Sequence, residues 1–251
     1  LDLSEISPLP AYVTINKGAK FESVKDSVTY AFTTDEAVIV ENNSGTFIAR
    51  EVKLIEGERL TYEWIVDSTE PNQRFIIPNA GVDTTTLTVI VKESETSSST
   101  RKFVQATDIN EIGAEDAVYF LNEVADQKYE IFFGDGIIGQ EVTDGNVVQI
   151  DYVVSSGIDG NDCAIFELVS GISYNTSITT VVNATNGANE ETIESVKYLA
   201  PRNYESQNRA VTANDYQTLI QVDYPYIDAI KVWGGEENDP PYYGKVFVAI
   251  K

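Results

Sequence analysis

Histidine and methionine are absent from this 251-residue sequence, and cysteine occurs once, at Cys163. Without histidine the usual general base near neutral pH is missing, and with it the serine and cysteine triads and most transition-metal sites. One cysteine forms no internal disulfide, and cysteine without histidine builds no zinc site. Any chemistry would rest on carboxylates, Lys or Tyr. No run approaches the ~18 apolar residues of a membrane span. The missing initiator and missing basic-then-apolar leader predict a fragment or a processed product.

Basic residues are also scarce: 17 Lys and Arg face 40 Asp and Glu. Between Phe103 and Glu194 seventeen acids stand against a single cation, Lys128. Such a segment repels phosphates, which argues against nucleic acid and anionic membrane as partners. What is plentiful is apolar and aromatic: 42% hydrophobic residues, with 10 Phe, 14 Tyr and 2 Trp. A soluble globular protein with a sizeable core follows, as one large domain or two to three smaller ones.

The pattern is mainly β with a small α/β C-terminal domain, α+β overall. Residues 1–187 read as a β-rich body, with the polar "ESETSSST" at 93–100 as a candidate division. Val28, Tyr30 and Phe32 alternate on one side of a strand, and 85–92, 117–121 and 129–133 read as further strands. Residues 146–154 place Val148, Ile150, Tyr152 and Val154 on one face. Residues 188–251 read as two helices and at least two strands. The first helix starts at a cap candidate, Asn189, offers Ile193, Val196 and Ala200 along one face, and stops at Pro201. Thr212 and Asp215 form a capping-box pattern for the second, which offers Tyr216, Leu219 and Ile220 and ends before Pro225. Strands at 227–233 and 245–250 flank "GGEENDPPYYG".

Gly134-Asp135-Gly136-Ile137-Ile138-Gly139 has the G-x-G-x-x-G spacing of a dinucleotide-binding loop. That loop works where a strand feeds a glycine turn and a helix starts at once. Here "QEVTDGNVVQIDYV" follows and continues as strand, and the surrounding charge has the wrong sign for a phosphate. No cofactor is expected. Gly134, Asp135, Gly136 and Gly139 read as a structural turn.

"YEIFFGDGIIGQEVTDGNVVQIDYVVSSGIDGN", followed by "YLAPRNYESQNRAVTANDYQTLI" and "IKVWGGEENDPPYYGKVFVAI", resembles the baseplate J-like family of contractile-tailed phages and related injection machines. It looks closest to the T4-like wedge members that form the inner ring around the hub, and the resemblance covers roughly residues 75–251. It implies a structural subunit, not an enzyme, from the C-terminal part of a longer protein. It further implies assembly in the host bacterial cytoplasm into the virion tail baseplate. The implied partners are the chain itself and other baseplate wedge proteins, with no small-molecule substrate.

Candidate contacts lie mostly in the C-terminal part. Arg202, Tyr204 and Arg209 sit in "APRNYESQNRAVTANDY", read as a long connection between the helices, where Arg binds carboxylates in two-pronged fashion. Trp233, Tyr242 and Tyr243 belong to types enriched at interfaces, although Tyr and Trp serve equally as core of a small domain. "GIDGND" (157–162) and "TDGN" (143–146) carry oxygens that suit Ca²⁺ but lack EF-hand spacing; no metal is expected. The alternative function is a secreted β-rich adhesin or carbohydrate-binding module with bound calcium, in which Asn42, Asn175 and Asn183 head N-x-S/T triplets.

Overall fold

The computed structural model describes residues 9–70, 73–170, 176–224 and 227–251. The chain divides into two compact units, Leu1–Ser156 with Asp162–Ala184, and Gly157–Asn161 with Thr185–Lys251. Asn175 and Pro225, which figure in the sequence reading, lie outside the described residues.

Among the described residues the first unit carries thirteen strands. Its N-terminal part holds β1 (Tyr12–Ile15), β2 (Lys20–Lys25), β3 (Val28–Thr34), β4 (Val38–Glu41) and β5 (Leu54–Glu56). Then come β6 (Glu58–Ile65), β7 (Phe75–Ile76), β8 (Val82–Lys92), β9 (Thr100–Gln105), β10 (Val118–Val124), β11 (Lys128–Phe133), β12 (Val147–Val154) and β13 (Glu167–Ser170). A four-stranded sheet in the order β13-β2-β3-β5 and a β1-β4 ladder enclose one core. Phe21, Phe32, Phe47 and Cys163 fill it, and Phe32 meets Phe166 edge-on at 4.9 Å. The expected alternation of β3 reaches the core only toward its C-terminal end. Phe32 is buried, whereas Val28 pairs with Lys25 beside the Asp26–Ser27 turn and is 51% exposed.

The second sheet runs β6-β12-β8-β9-β10-β11-β7. All its pairs are antiparallel except β9 with β10, where Val104 faces Val118 and Gln105 faces Tyr119. Val148, Ile150 and Tyr152 of β12 point into its core, as their spacing predicts. Val147 and Val153, on the opposite face, are buried too, and the backbone at Gly57 closes over Val153. Burying each such side chain contributes about 1.5–3 kcal/mol. Trp64 of β6 and Phe75 of β7, from the two ends of the strand order, meet at 5.9 Å, and the ring contacts continue through Phe133 to Phe103. The sheet therefore curls toward closure. The Ser-rich stretch at 93–100 joins β8 to β9, antiparallel neighbours in this sheet.

The second unit contains α1 (Ile193–Ser206), α2 (Ala213–Asp223), β14 (Ile230–Gly234) and β15 (Val246–Ile250). Two details of the first helix differ from the sequence reading. Its cap is Thr192, whose Oγ1 accepts from Ser195 N–H, because Asn189 Oδ1 is taken by the Ile158 N–H. And α1 runs through Pro201 to Ser206, ending at left-handed Gln207. A proline there removes one helical donor; the Arg202 side chain supplies another in the same turn, donating to the Tyr198 carbonyl at 2.6 Å. The connection between the helices is accordingly much shorter than the expected 200–216. The capping box of α2 is formed, with Asp215 accepting from Thr212 N–H at 2.8 Å. That bond and the Thr212 hydroxyl hold the Asp215 carboxyl below its ordinary range.

Candidate functional site

All buried apolar side chains among the described residues belong to the first unit. The second unit buries Ser206 and Thr218 but leaves Ile193, Val196, Val211, Val222, Val246, Val248 and Ile250 exposed. Ile193, Val196 and Ala200 do share a face of α1, yet solvent covers it. Tyr216, Leu219 and Ile220 of α2 are half-buried. A unit of this size without an apolar centre has little hydrophobic stabilisation of its own.

β14 and β15 form a two-stranded antiparallel ladder from Ile230↔Ile250 to Gly234↔Val246. Because strand side chains alternate, Val246, Val248 and Ile250 line one face with Ile230 and Val232. They are 46%, 42% and 59% exposed. The other face carries Trp233 stacked on Phe247 with centroids 5.8 Å apart, and Tyr242 reaches the same phenyl ring at 6.3 Å. Lys231 lies over Trp233 and Lys245 over Tyr242, at 5.6 and 5.7 Å. Trp233 Nε1 donates to Asn238 Oδ1, which ties the strand to the polar loop.

Of the six contact candidates, the structure thus brings Trp233 and Tyr242 together around Phe247. Tyr243 stands apart at the loop tip, 81% exposed. Arg202 and Tyr204 lie on α1 and Arg209 in the short connection that follows. Arg202 stacks on Tyr198 within its own helix, and Tyr204 is 85% exposed. The exposed row on β15 and the bare face of α1 were missed as surface. Their apolar periodicity is the same whether a second layer covers them or not; the clue was that only two strands were available to a sheet with an apolar face.

In the first unit the glycine-rich segment is a turn locked by its own atoms. Asp135 Oδ1 accepts from the N–H groups of Ile137 and Ile138, both at 3.0 Å, and these bonds hold its carboxyl below the ordinary range. Gly136 N–H donates to the Gly139 carbonyl, and a Cβ on Gly134 would stand 2.3 Å from the Gly139 backbone. No helix follows. Residues 140–146 are irregular where continuing strand was expected, since Gln140 N–H bonds to the Asp116 carbonyl and Gly145 N–H to that of Val66. Of the calcium candidates, Asp144 accepts from Ser68 N–H, and Asn146 from Thr143. Among the described residues no cluster of three or more carboxylate or thiol side chains is arranged for a metal.

Residues 59–162 match the family described as bacteriophage baseplate wedge protein gp6, third domain. Residues 212–251 match baseplate structural protein gp6, C-terminal domain I. The chain is also 26% identical, over 274 aligned positions, to the baseplate wedge protein gp6 of Enterobacteria phage T4. That alignment covers 96% of this chain and 39% of the relative. The chain is thus similar to gp6-like baseplate wedge proteins, and it spans well under half the length of the relative it matches.

Proposed function

We propose that this chain is a structural part of a contractile phage tail baseplate, joining neighbouring wedges into a ring around the hub. Its partners are copies of itself and other wedge proteins, and it is assembled in the host cytoplasm into the virion. The baseplate J-like resemblance and the gp6 matches support this reading. The observation that carries it is the second unit's surface: exposed apolar residues on β15 and α1, in a unit with no buried apolar side chain among the described residues.

A closed ring needs either two complementary surfaces per copy or two self-pairing ones. The Val246, Val248 and Ile250 row is one such surface. The α1 side, with Tyr204 and Arg209, is the other. Contraction of the tail then requires that at least one contact be weak enough to rearrange.

Sedimentation velocity over a concentration series, with Ca²⁺ and again with EDTA, tests the reading. Self-association indifferent to metal is the expected result. A strict monomer whose shape or stability responds to Ca²⁺ would overturn it in favour of a calcium-bound adhesin.

A further inference from the structure

The second unit contains an Asn-Gly step, Asn186-Gly187. Chemically this is the dipeptide most prone to imide formation, because glycine leaves its amide nitrogen unhindered beside the preceding carboxamide. In the fold that nitrogen is engaged. Gly187 N–H donates to Asn161 Oδ1 at 2.8 Å, and Asn161 Nδ2 donates to the Gly187 carbonyl at 2.9 Å. Asn189 Oδ1 accepts from Ile158 N–H at 3.1 Å, so residues 157–161 are clamped to 186–189 by two asparagines. Close packing fixes glycine at this position: a Cβ on Gly187 would lie 2.3 Å from the Gly157 carbonyl oxygen. Asn186 is exposed, with φ of +68°, so water is at hand.

Two of the three Asp-Gly steps in the chain are held differently. In Asp135-Gly136 and Asp144-Gly145 the glycine N–H donates to backbone carbonyls, of Gly139 and Val66. At Asn186-Gly187 the acceptor is one side chain, that of Asn161.

We propose that Asn186 is a latent deamidation site gated by Asn161. While the clamp holds, the site is silent. When it opens, Gly187 N attacks Asn186 Cγ; the N–Cγ bond forms, the Cγ–Nδ2 bond breaks, and ammonia leaves with the proton lost from Gly187 N. Water then opens the imide to aspartate or isoaspartate. The isoaspartyl product lengthens the backbone and adds a carboxylate, so the close approach of Gly187 to Gly157 does not re-form. Opening of the clamp is thereby recorded covalently.

The test is peptide mapping by mass spectrometry of the full chain, as wild type, Asn161→Ala and Asn161→Asp, incubated near neutral pH both folded and in urea. Folded wild type is expected to convert at Asn186 at least ~5-fold more slowly than in urea, the factor that one net hydrogen bond supplies. Folded Asn161→Ala should approach the urea rate, while Asn161→Asp, which keeps an acceptor for Gly187 N–H, should stay near wild type. Folded wild type converting as fast as the unfolded chain would overturn the proposal, as would an Asn161→Ala variant that keeps its circular dichroism and converts no faster. Should that variant fail to fold, hydrogen exchange at the wild-type Gly187 amide decides: slow exchange supports the gate and fast exchange removes it.

Discussion

Arg202 lies over the ring of Tyr198, its guanidinium carbon 3.7 Å from the centroid, and donates to the carbonyl of the same residue. The two are one helical turn apart, so both interactions stay within α1. Arg202 therefore serves its own helix, while Tyr204 stays 85% exposed, as the proposed contact requires. Arg202→Lys keeps the charge but loses the planar stack. It should cost about 0.5–1 kcal/mol, seen as a small fall in Tm. Tyr204→Ala should leave Tm unchanged and weaken self-association in sedimentation; an unchanged association would remove Tyr204 from the contact.

Gly134→Ala forces a methyl against the Gly139 backbone, which has no room to yield. A loss of about 1–3 kcal/mol is expected from this overpacking, measured by urea unfolding. Gly145→Ala is the control. No described residue lies within 4 Å of its added Cβ, so the left-handed φ of +79° is the main penalty, about 1–2 kcal/mol. Equal costs that do not exceed the strain term would show that Gly134 is not held by close approach.

The Asp135 carboxylate is favoured by the Ile138 and Ile137 N–H bonds, so its folded pKa is depressed. The bonds are fully in place above the ordinary carboxylate range, near pH ~4, and are lost as pH falls through the lower folded value. In a two-dimensional NMR titration the Ile137 and Ile138 amide resonances should move together, with a midpoint below that of a free aspartate. Asp135→Asn should abolish the transition. Independent midpoints for the two amides would contradict a shared carboxylate.

Much of this was legible from residue order. The run around Val148, Ile150 and Tyr152 marks an inner strand, because an uninterrupted β-branched series with aromatics fits little else. Thr212 with Asp215 marks a helix start, because capping is decided within four residues. Pro201 misled, since its cost is local and the turns on either side of it hold the helix. The exposure of Val248 and Val196 was not legible at all. Periodicity tells which residues share a face, but only tertiary context tells whether anything covers that face.

Net charge makes a further prediction. At −23 the chain repels its copies, and salt screens that repulsion over about 8–10 Å at moderate ionic strength. If the ring contact is apolar at its centre, raising NaCl should tighten self-association. Weakening by salt would instead mean that ion pairs, such as Arg209 with an acid of the neighbour, carry the contact.

Val248 gives the sharpest test of the β15 face. Val248→Asp places a carboxylate at a position already 42% exposed, in the middle of the Val246 and Ile250 row. In the free chain water solvates it, and substitutions of this kind stay within about 0.5 kcal/mol of neutral. In an assembled pair the same carboxylate would be desolvated without a partner, and burial of the valine's remaining exposed surface, less than half of the ~1.5–3 kcal/mol of a full side chain, would be lost as well. The dissociation constant should therefore rise at least ~10-fold with an unchanged melting curve. Val24→Asp on β2 adds the same charge at a residue 66% exposed in the first unit and should leave association alone. A loss of association in both variants would assign the effect to charge. A loss in neither would remove this face of β15 as the contact and leave the α1 side to hold the ring.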